Sequence, residues 1–400
     1  MKKTFEEIKT QDKEFIMNTY GRFDVAFVGG KGSTLYDESG LDYIDFGSGI
    51  GTSALGANDE KWSAAVSKQA NTLAHISNLY YNPVTSALAE RLCAATGMKN
   101  VFFGNSGAEA NECAIKIARK YSFDKYGAES GRNKILTLRN SFHGRTVTTL
   151  AATGQDVFHN YFFPFTEGFV FEEANEKALD IIKNDNSVCG ILMELVQGEG
   201  GVFVLDKAFV SEVAKLAEEK DIVLMIDEVQ TGVGRTGTFL ACQQYGIKPD
   251  VVTLAKGLGG GLPIGAALCG EKTCKVLGSS DHGSTFGGNT VSCAGALAVI
   301  ERLLDDGVLD SVSSKGEYIR AKLTEAFGDK IKEIRGLGMM LGIDFVGPTS
   351  KEIAVAGISN RVAVLTAKSA VRLLPPLTIS EAEIDEGISR LVKAVDSLNK

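Results

Sequence analysis

Ile222 to Gly265 reads IVLMIDEVQTGVGRTGTFLACQQYGIKPDVVTLAKGLGGGLPIG. Two apolar runs in it, Ile222 to Ile226 and Val251 to Leu254, stop abruptly at charged chemistry. An uninterrupted Val/Ile/Leu run is the pattern of a strand buried on both faces, as in a parallel sheet covered by helices. Asp227 and Lys256 then stand just past two strand ends. Open parallel sheets bind ligands outside the carboxyl ends of their strands, so this acid and this amine are expected in one pocket.

Outward from that stretch the alternation continues. VFFGNSGAEANECAIKIARKY reads as a short strand, a small-residue turn and a long amphipathic helix. Further strands are expected at Lys134 to Leu138, Gly168 to Phe171 and Val188 to Leu195, with a helix from about Asp206 to Lys220. Such alternation predicts an α/β sheet. Earlier, AFVGGKGSTLYDESGLDYIDF suggests a hairpin or small antiparallel sheet. Helical spacing covers 59 to 77 and 83 to 97, the second opening on Asn82 and Pro83. After about residue 290 the pattern changes. Helices near Val291 to Leu304 and Leu309 to Phe327, a strand pair in EIRGLGMMLGIDF, extended RLLPPLTI and a last helix from Glu381 to about Leu398 predict a smaller α+β domain. The expected division is 1–55 as a segment packing with the small domain, 56–289 as the large domain and 290–400 as the small one.

Composition narrows the class. A chain of 400 residues is long for one core and suggests two domains. The net charge of -8 argues against nucleic acid or an anionic membrane as main partner. No apolar run approaches the roughly 20 residues of a membrane-spanning helix, and the N-terminus lacks a secretory h-region. A soluble cytoplasmic protein is expected. The seven cysteines show no C-x-x-C pair and the four histidines no H-x-x-x-H spacing, so reduced core thiols and no metal site are expected.

Two motifs carry chemistry, each with a plainer reading beside it. Gly104 to Glu112, GNSGAEANE, puts Asn105, Ser106 and Gly107 at a helix start, where free N–H groups and the helix dipole favour a phosphate. It also reads as an N-cap, Ser106 capping and Glu109 completing a capping box. Neither a dinucleotide fingerprint nor a P-loop is present. Asp227 could instead cap a helix or pair with Arg235, and Lys256 could be a surface lysine. Yet Lys256 follows a buried strand and precedes GLGGGLPIG, whose glycines permit close backbone approach to a ligand. A desolvated lysine loses proton affinity and becomes a nucleophile for a carbonyl. A phosphate turn, a buried acid and a pocket lysine together describe a site for pyridoxal 5'-phosphate.

The motifs NSGAEANE, SFHGR, VQGEGG, DEVQTGVGRTG, LAKGLGGGLPIGA, HGSTFGGN and VRLLPPLTI, from about Tyr20 onward and in the expected order, resemble those of the class III aminotransferases, pyridoxal-phosphate enzymes of fold type I. SFHGRT, LAKGLGGG and the compact length are most similar to the branch acting on acetylornithine in arginine biosynthesis. The resemblance implies an aspartate-aminotransferase-like α/β fold, with a large, mostly parallel seven-stranded sheet domain and a small α+β domain. It implies ping-pong transfer of the ω-amino group of N2-acetyl-L-ornithine to 2-oxoglutarate. Succinylornithine, ornithine, N-succinyl-diaminopimelate and 4-aminobutyrate are the rival donors. An aminomutase and a non-enzymatic metabolite-binding protein are the readings from other reaction types.

Carried onto matching positions, the resemblance implies that Lys256 forms the Schiff base and shuttles the proton, while Asp227 keeps the pyridine nitrogen protonated. Val229 would pack beneath the ring, Phe142 above it, and Gln230 would bond its phenolic oxygen. Ser106, Gly107 and Ala108 would line the phosphate site, with Thr285 reaching it from a second subunit of a homodimer. Arg145, helped by Tyr20, would bind the carboxylate distal to the reacting carbon, with Ser284 also at the substrate. Arg372 would bind the α-carboxylate of glutamate, and Glu199 would pair with it when an ω-amine occupies the site. Without the resemblance each arginine reads as half of a structural ion pair, and His143 as a structural neighbour of Phe142. Related sequences commonly have Glu-Pro before VQGEGG; here Glu194-Leu195 stands there, leaving the chain path open.

Overall fold

The computed structural model describes residues 3–398. A seven-stranded sheet forms its centre, in the order Asn100–Gly104, Gly265–Cys269, Val251–Leu254, Val223–Asp227, Val188–Met193, Lys134–Leu138 and Phe169–Glu172. Gly265–Cys269 runs antiparallel to both its neighbours and the remaining adjacent pairs are parallel. This is the mostly parallel sheet expected from the apolar runs. Val188–Met193, Val223–Asp227 and Val251–Leu254 are buried at every residue, which is why they carry no polar alternation.

Helix Gly107–Tyr126 crosses this sheet, burying Ala110, Cys113, Ala114 and Ile117. That spacing is one helical face. The first predicted helix stops at Thr72, short of residue 77, where Leu73 turns extended. The carbonyls there are taken by the start of a helix far along the chain, Thr290–Leu304: Thr290 Oγ1 donates to Leu73 O, and Asn289 Nδ2 to Ala74 O at 2.9 Å. The second late helix begins only at Val312, after a 3-10 turn over Val308–Ser311.

A second sheet, Ile331–Leu337, Met340–Phe345, Ala370–Leu373 and Leu365–Ala367, is antiparallel throughout. The N-terminal strands Phe27–Lys31, Thr34–Asp37 and Asp42–Asp45 form a third, closed by Val362–Ala363. The chain's beginning is thus stitched to its end. Leu374 N–H donates to Phe46 O and Leu377 N–H to Ala54 O, both at 2.7 Å. Arg335 Nε donates to Gly201 O at 2.7 Å, tying the Gly198 to Gly201 loop to the antiparallel sheet. These ties bring Arg372, in a wholly buried strand, toward the edge where the parallel strands end. The seven cysteines are unpaired, and among the described residues no helix is long and apolar enough to cross a membrane.

Candidate active site

Val223–Asp227 and Val251–Leu254 lie side by side with Asp227 opposite Thr253, and Glu228 N–H continues the ladder to Thr253 O at 3.0 Å. Both strands therefore deliver their next residues to the same sheet edge. Two residues past Leu254, Lys256 opens a 3-10 turn, Lys256–Gly259, with a φ of 42°. A non-glycine residue held in the left-handed region carries backbone strain that surrounding packing must enforce. Here the strained residue lines a cavity of about 490 Å3, together with Ser106, Gly107, Ala108, Asp227 and Gln230. Val229, Phe142 and Arg145 share that lining.

The cavity floor is a helix start. Ser106 Oγ accepts from Glu109 N–H at 3.2 Å, as an N-cap should. The expected capping box does not close, because the Glu109 carboxylate takes Asn105 N–H instead, along with Asn105 Nδ2 at 3.1 Å. The amides of Gly107 and Ala108, in the first helical turn, have no intrahelical acceptor and remain for an anion. Gly107 allows this approach because a Cβ there would lie 2.7 Å from Val229 Cγ1.

Asp227 is fixed from three sides. Its Oδ2 accepts from Asn111 Nδ2 at 2.7 Å and lies 2.8 Å from His143 Nδ1; its Oδ1 accepts from Val229 N–H at 3.0 Å. Asn111 is itself held by Thr253 Oγ1 at 2.8 Å. Arg235 is not its partner: that guanidinium donates to Met339 O and Pro375 O at 3.1 and 2.6 Å. Burial lowers Arg235's proton affinity to about 9. Glu194, also on the cavity wall, accepts from Phe142 N–H at 2.9 Å. Burial first, and then the neighbouring Asp227 charge, push its carboxyl well above the ordinary range. Part of Lys256 stays accessible from the cavity, yet burial lowers the proton affinity of its amine, and Arg372 lowers it further against the pull of Glu199.

At one end of the site stands an ion pair. Arg372 Nη1 lies 2.6 Å from Glu199 Oε1 and donates to Gln230 Oε1 at 3.0 Å, while Gln230 Nε2 donates to Glu199 Oε1 at 3.3 Å. Burial alone would raise the Glu199 carboxyl; the Arg372 charge and hydrogen bond hold it below its ordinary value. Arg372 is 3% exposed and the Glu199 side chain 30%. Arg145 differs: no ion pair among the described residues engages it, and its guanidinium lies over Phe158 at 4.4 Å and Phe142 at 5.8 Å from the ring centroids.

The single chain does not bring every expected residue to this cavity. Tyr20 is 71% exposed and faces Arg22. Thr285 is exposed and lines a separate surface hollow with Ser284, although Ser284 Oγ accepts from Asn105 Nδ2 at 3.0 Å. Leu195 is fully buried, and its carbonyl accepts from Leu205 N–H at 3.0 Å. That bond and the small ladder of Val196–Gln197 with Phe203–Val204 define the path before Glu199 without a proline. Sequence reasoning missed Asn111 and the contact of His143 with Asp227, and named Glu194 without giving it a role in the site. Asn111 had a legible signal, lying one helical turn after Gly107 and so on its face.

The chain is similar to known proteins along nearly its whole length. Residues 16–395 match the family described as aminotransferase class-III. The chain is 48% identical to an acetylornithine aminotransferase of Haemophilus ducreyi, over 99% of this chain and 100% of that protein. An ornithine aminotransferase of Toxoplasma gondii, with pyridoxal phosphate partly occupying its active site, superposes with a TM-score of 0.94 at 29% identity, covering 100% of this chain and 95% of that one. The acetylornithine aminotransferase of Elizabethkingia anophelis gives 0.89 at 30% identity, over 99% and 100%.

Proposed function

The chain belongs to the class III aminotransferases, and on that footing we propose that it is an acetylornithine transaminase. It moves the ω-amino group of N2-acetyl-L-ornithine to 2-oxoglutarate, giving N-acetyl-L-glutamate 5-semialdehyde and L-glutamate. The arrangement of its two arginines carries the reading: Arg372 beside Lys256 is screened by Glu199, while Arg145 stands unpaired over aromatic rings.

The residues fit pyridoxal phosphate on chemical grounds. Gly107 and Ala108 offer unpaired amides for a phosphate, and no hydrogen bond among the described residues occupies the Lys256 amine. Among the described residues Asp227 Oδ1 accepts only a backbone N–H, leaving capacity for a protonated ring nitrogen. When bound, this cofactor supplies an electron sink for negative charge at the substrate's reacting carbon. Asp227 would hold the ring-nitrogen proton, oriented by His143 and Asn111. Lys256, reduced in proton affinity by burial, would hold the aldehyde carbon and, when freed, move the proton at the substrate carbon. Ser106 would assist at the phosphate, with Val229 and Phe142 on either side of the ring and Gln230 at its phenolic oxygen.

Arg145 would bind the carboxylate far from the reacting carbon in both half-reactions, since acetylornithine and 2-oxoglutarate each carry one. Arg372 would take the second carboxylate of 2-oxoglutarate or glutamate. With acetylornithine, which has none there, Glu199 neutralises it. Tyr20 and Ser284 would complete the substrate site, and Thr285 the phosphate site of a second copy, making a homodimer with shared active sites. Thr285's exposure supports that assignment, as does the exposed apolar group of Leu79, Tyr80, Tyr81 and Phe286. The division into 1–55, 56–289 and 290–400 is supported by sheets that respect those borders except at Val362–Ala363; residues 1–2 and 399–400 of it lie outside the described ones. Arginine biosynthesis in the cytoplasm is the proposed setting, with lysine biosynthesis through N-succinyl-diaminopimelate as a second.

The test is a donor panel with 2-oxoglutarate held constant, comparing N2-acetylornithine, N2-succinylornithine, ornithine, N-succinyl-diaminopimelate and 4-aminobutyrate. Highest kcat/KM with acetylornithine supports the proposal. A strong preference for unacetylated ornithine contradicts it.

A further inference from the structure

Two arginines serve this site and they are held by different means. Arg372 is gripped by a carboxylate, a partner that competes with any incoming carboxylate and must be displaced. Arg145 is held by ring faces, the nearer belonging to Phe158 at 4.4 Å. An aromatic face attracts a guanidinium without consuming its edge donors, so the fork stays available for bidentate binding. The difference matches the demand: in the proposed cycle Arg372 is screened in one half-reaction, whereas Arg145 meets a carboxylate in both.

Phe158 is placed for this by the segment that carries Phe142 and Arg145. It ends a 3-10 turn, Asp156–Phe158, where its N–H donates to Gln155 O at 3.1 Å. Gln155 Nε2 donates to Ser141 O at 3.1 Å and Gly154 N–H to Ser141 Oγ at 3.0 Å, so turn and segment move as one. The Phe142 and Phe158 rings meet edge-on, 5.8 Å apart. Phe158 belongs to none of the buried apolar clusters, so the core does not account for it.

We propose that Phe158 is a positioning residue that sets specificity for a distal carboxylate, by holding Arg145 in place without neutralising it. The inference rests on the carboxylate-binding role proposed for Arg145. Pre-ordering a flexible guanidinium lowers the entropy lost when substrate binds, so the effect falls on binding more than on turnover.

In the holoenzyme, Phe158→Leu is expected to raise KM for both N2-acetylornithine and 2-oxoglutarate by about tenfold, with kcat changed by no more than about twofold. Calorimetric titration with glutarate, an unreactive dicarboxylate, is expected to show the same weakening, and Phe158→Tyr to restore both. kcat/KM for a straight-chain monoamine without a carboxylate stays unchanged. An equal loss with that monoamine, or no recovery in Phe158→Tyr, overturns the proposal. If Arg145→Gln weakens glutarate binding but Phe158→Leu does not, the positioning role fails alone. If Arg145→Gln leaves glutarate binding intact, the reading of Arg145 beneath it fails.

Discussion

Glu199→Gln removes one charge from the site while keeping nearly the same shape, and its effect is expected to fall on one half-reaction only. The Arg372 to Glu199 contact is 2.6 Å, with Arg372 3% exposed and the Glu199 side chain 30% exposed. Stranding a charge from a fully buried pair costs about 3–5 kcal/mol, and breaking a surface pair about 0–1 kcal/mol. With one partner buried and the other about a third open to the cavity, roughly 2 kcal/mol is reasonable, which is about 30-fold in a rate or binding constant. The loss applies when acetylornithine occupies the site, because nothing then neutralises Arg372. When glutamate binds, its own α-carboxylate does so, and Glu199 no longer has to be displaced. Rapid mixing of the loaded enzyme with each donor alone, followed by cofactor absorbance, separates the two. The expected result is about a 30-fold loss with acetylornithine and an unchanged or faster reaction with glutamate. Equal losses in both half-reactions would refute the idea that Glu199 serves as a removable counter-charge.

Two further perturbations probe the cofactor cradle and the acid stability. Gly107→Ala would put a methyl group 2.7 and 2.9 Å from two Val229 carbons; overpacking of this kind costs about 1–3 kcal/mol, so cofactor affinity measured by titration into apoenzyme should fall by about tenfold, and Val229→Ala in the same chain should recover part of it, the rest being the ring contact that Val229 supplies. Asp221 sits at a φ of 53°, which an asparagine tolerates, and accepts from Tyr121 Oη at 2.8 Å and Lys125 Nζ at 2.7 Å. Burial works to raise its carboxyl, but these partners outweigh burial and hold it below the ordinary range. A depressed carboxyl stabilises the fold above its unfolded value near about 3.9 and loses that contribution as pH falls through the folded value. Asp221→Asn should therefore lower stability by about 2 kcal/mol at pH 7 in denaturant unfolding, with the deficit shrinking below about pH 4; an equal deficit at pH 7 and pH 3 contradicts this.

Local pattern and long-range placement were legible to different degrees. Val251–Leu254 could be read directly because a strand buried on both faces has no polar alternation, and the charged residues after it mark the sheet edge. The helix ending at Thr72 could not, since its stop depends on Asn289 and Thr290, far along the chain. For the site, Asp227 and Lys256 follow from strand ends. Their support does not: Asn111 and His143 approach Asp227 from separate elements, and only packing brings them there. Glu109 fitted the capping-box spacing, but its carboxylate reaches Asn105, one residue before the cap. Arg235, weighed as a partner for Asp227, instead joins two parts of the fold through Met339 and Pro375 carbonyls. Spacing identifies which groups can interact; which partner wins is decided by tertiary geometry.

Lys256, strained and half-buried in the cavity that Asp227 also lines, is the amine assigned to hold the cofactor. Borohydride reduction of the loaded enzyme followed by peptide mapping tests it most directly. A reduced cofactor adduct on Lys256, with neither adduct nor turnover in Lys256→Ala, is the predicted result. An adduct on a different lysine, or turnover retained in Lys256→Ala, would contradict it.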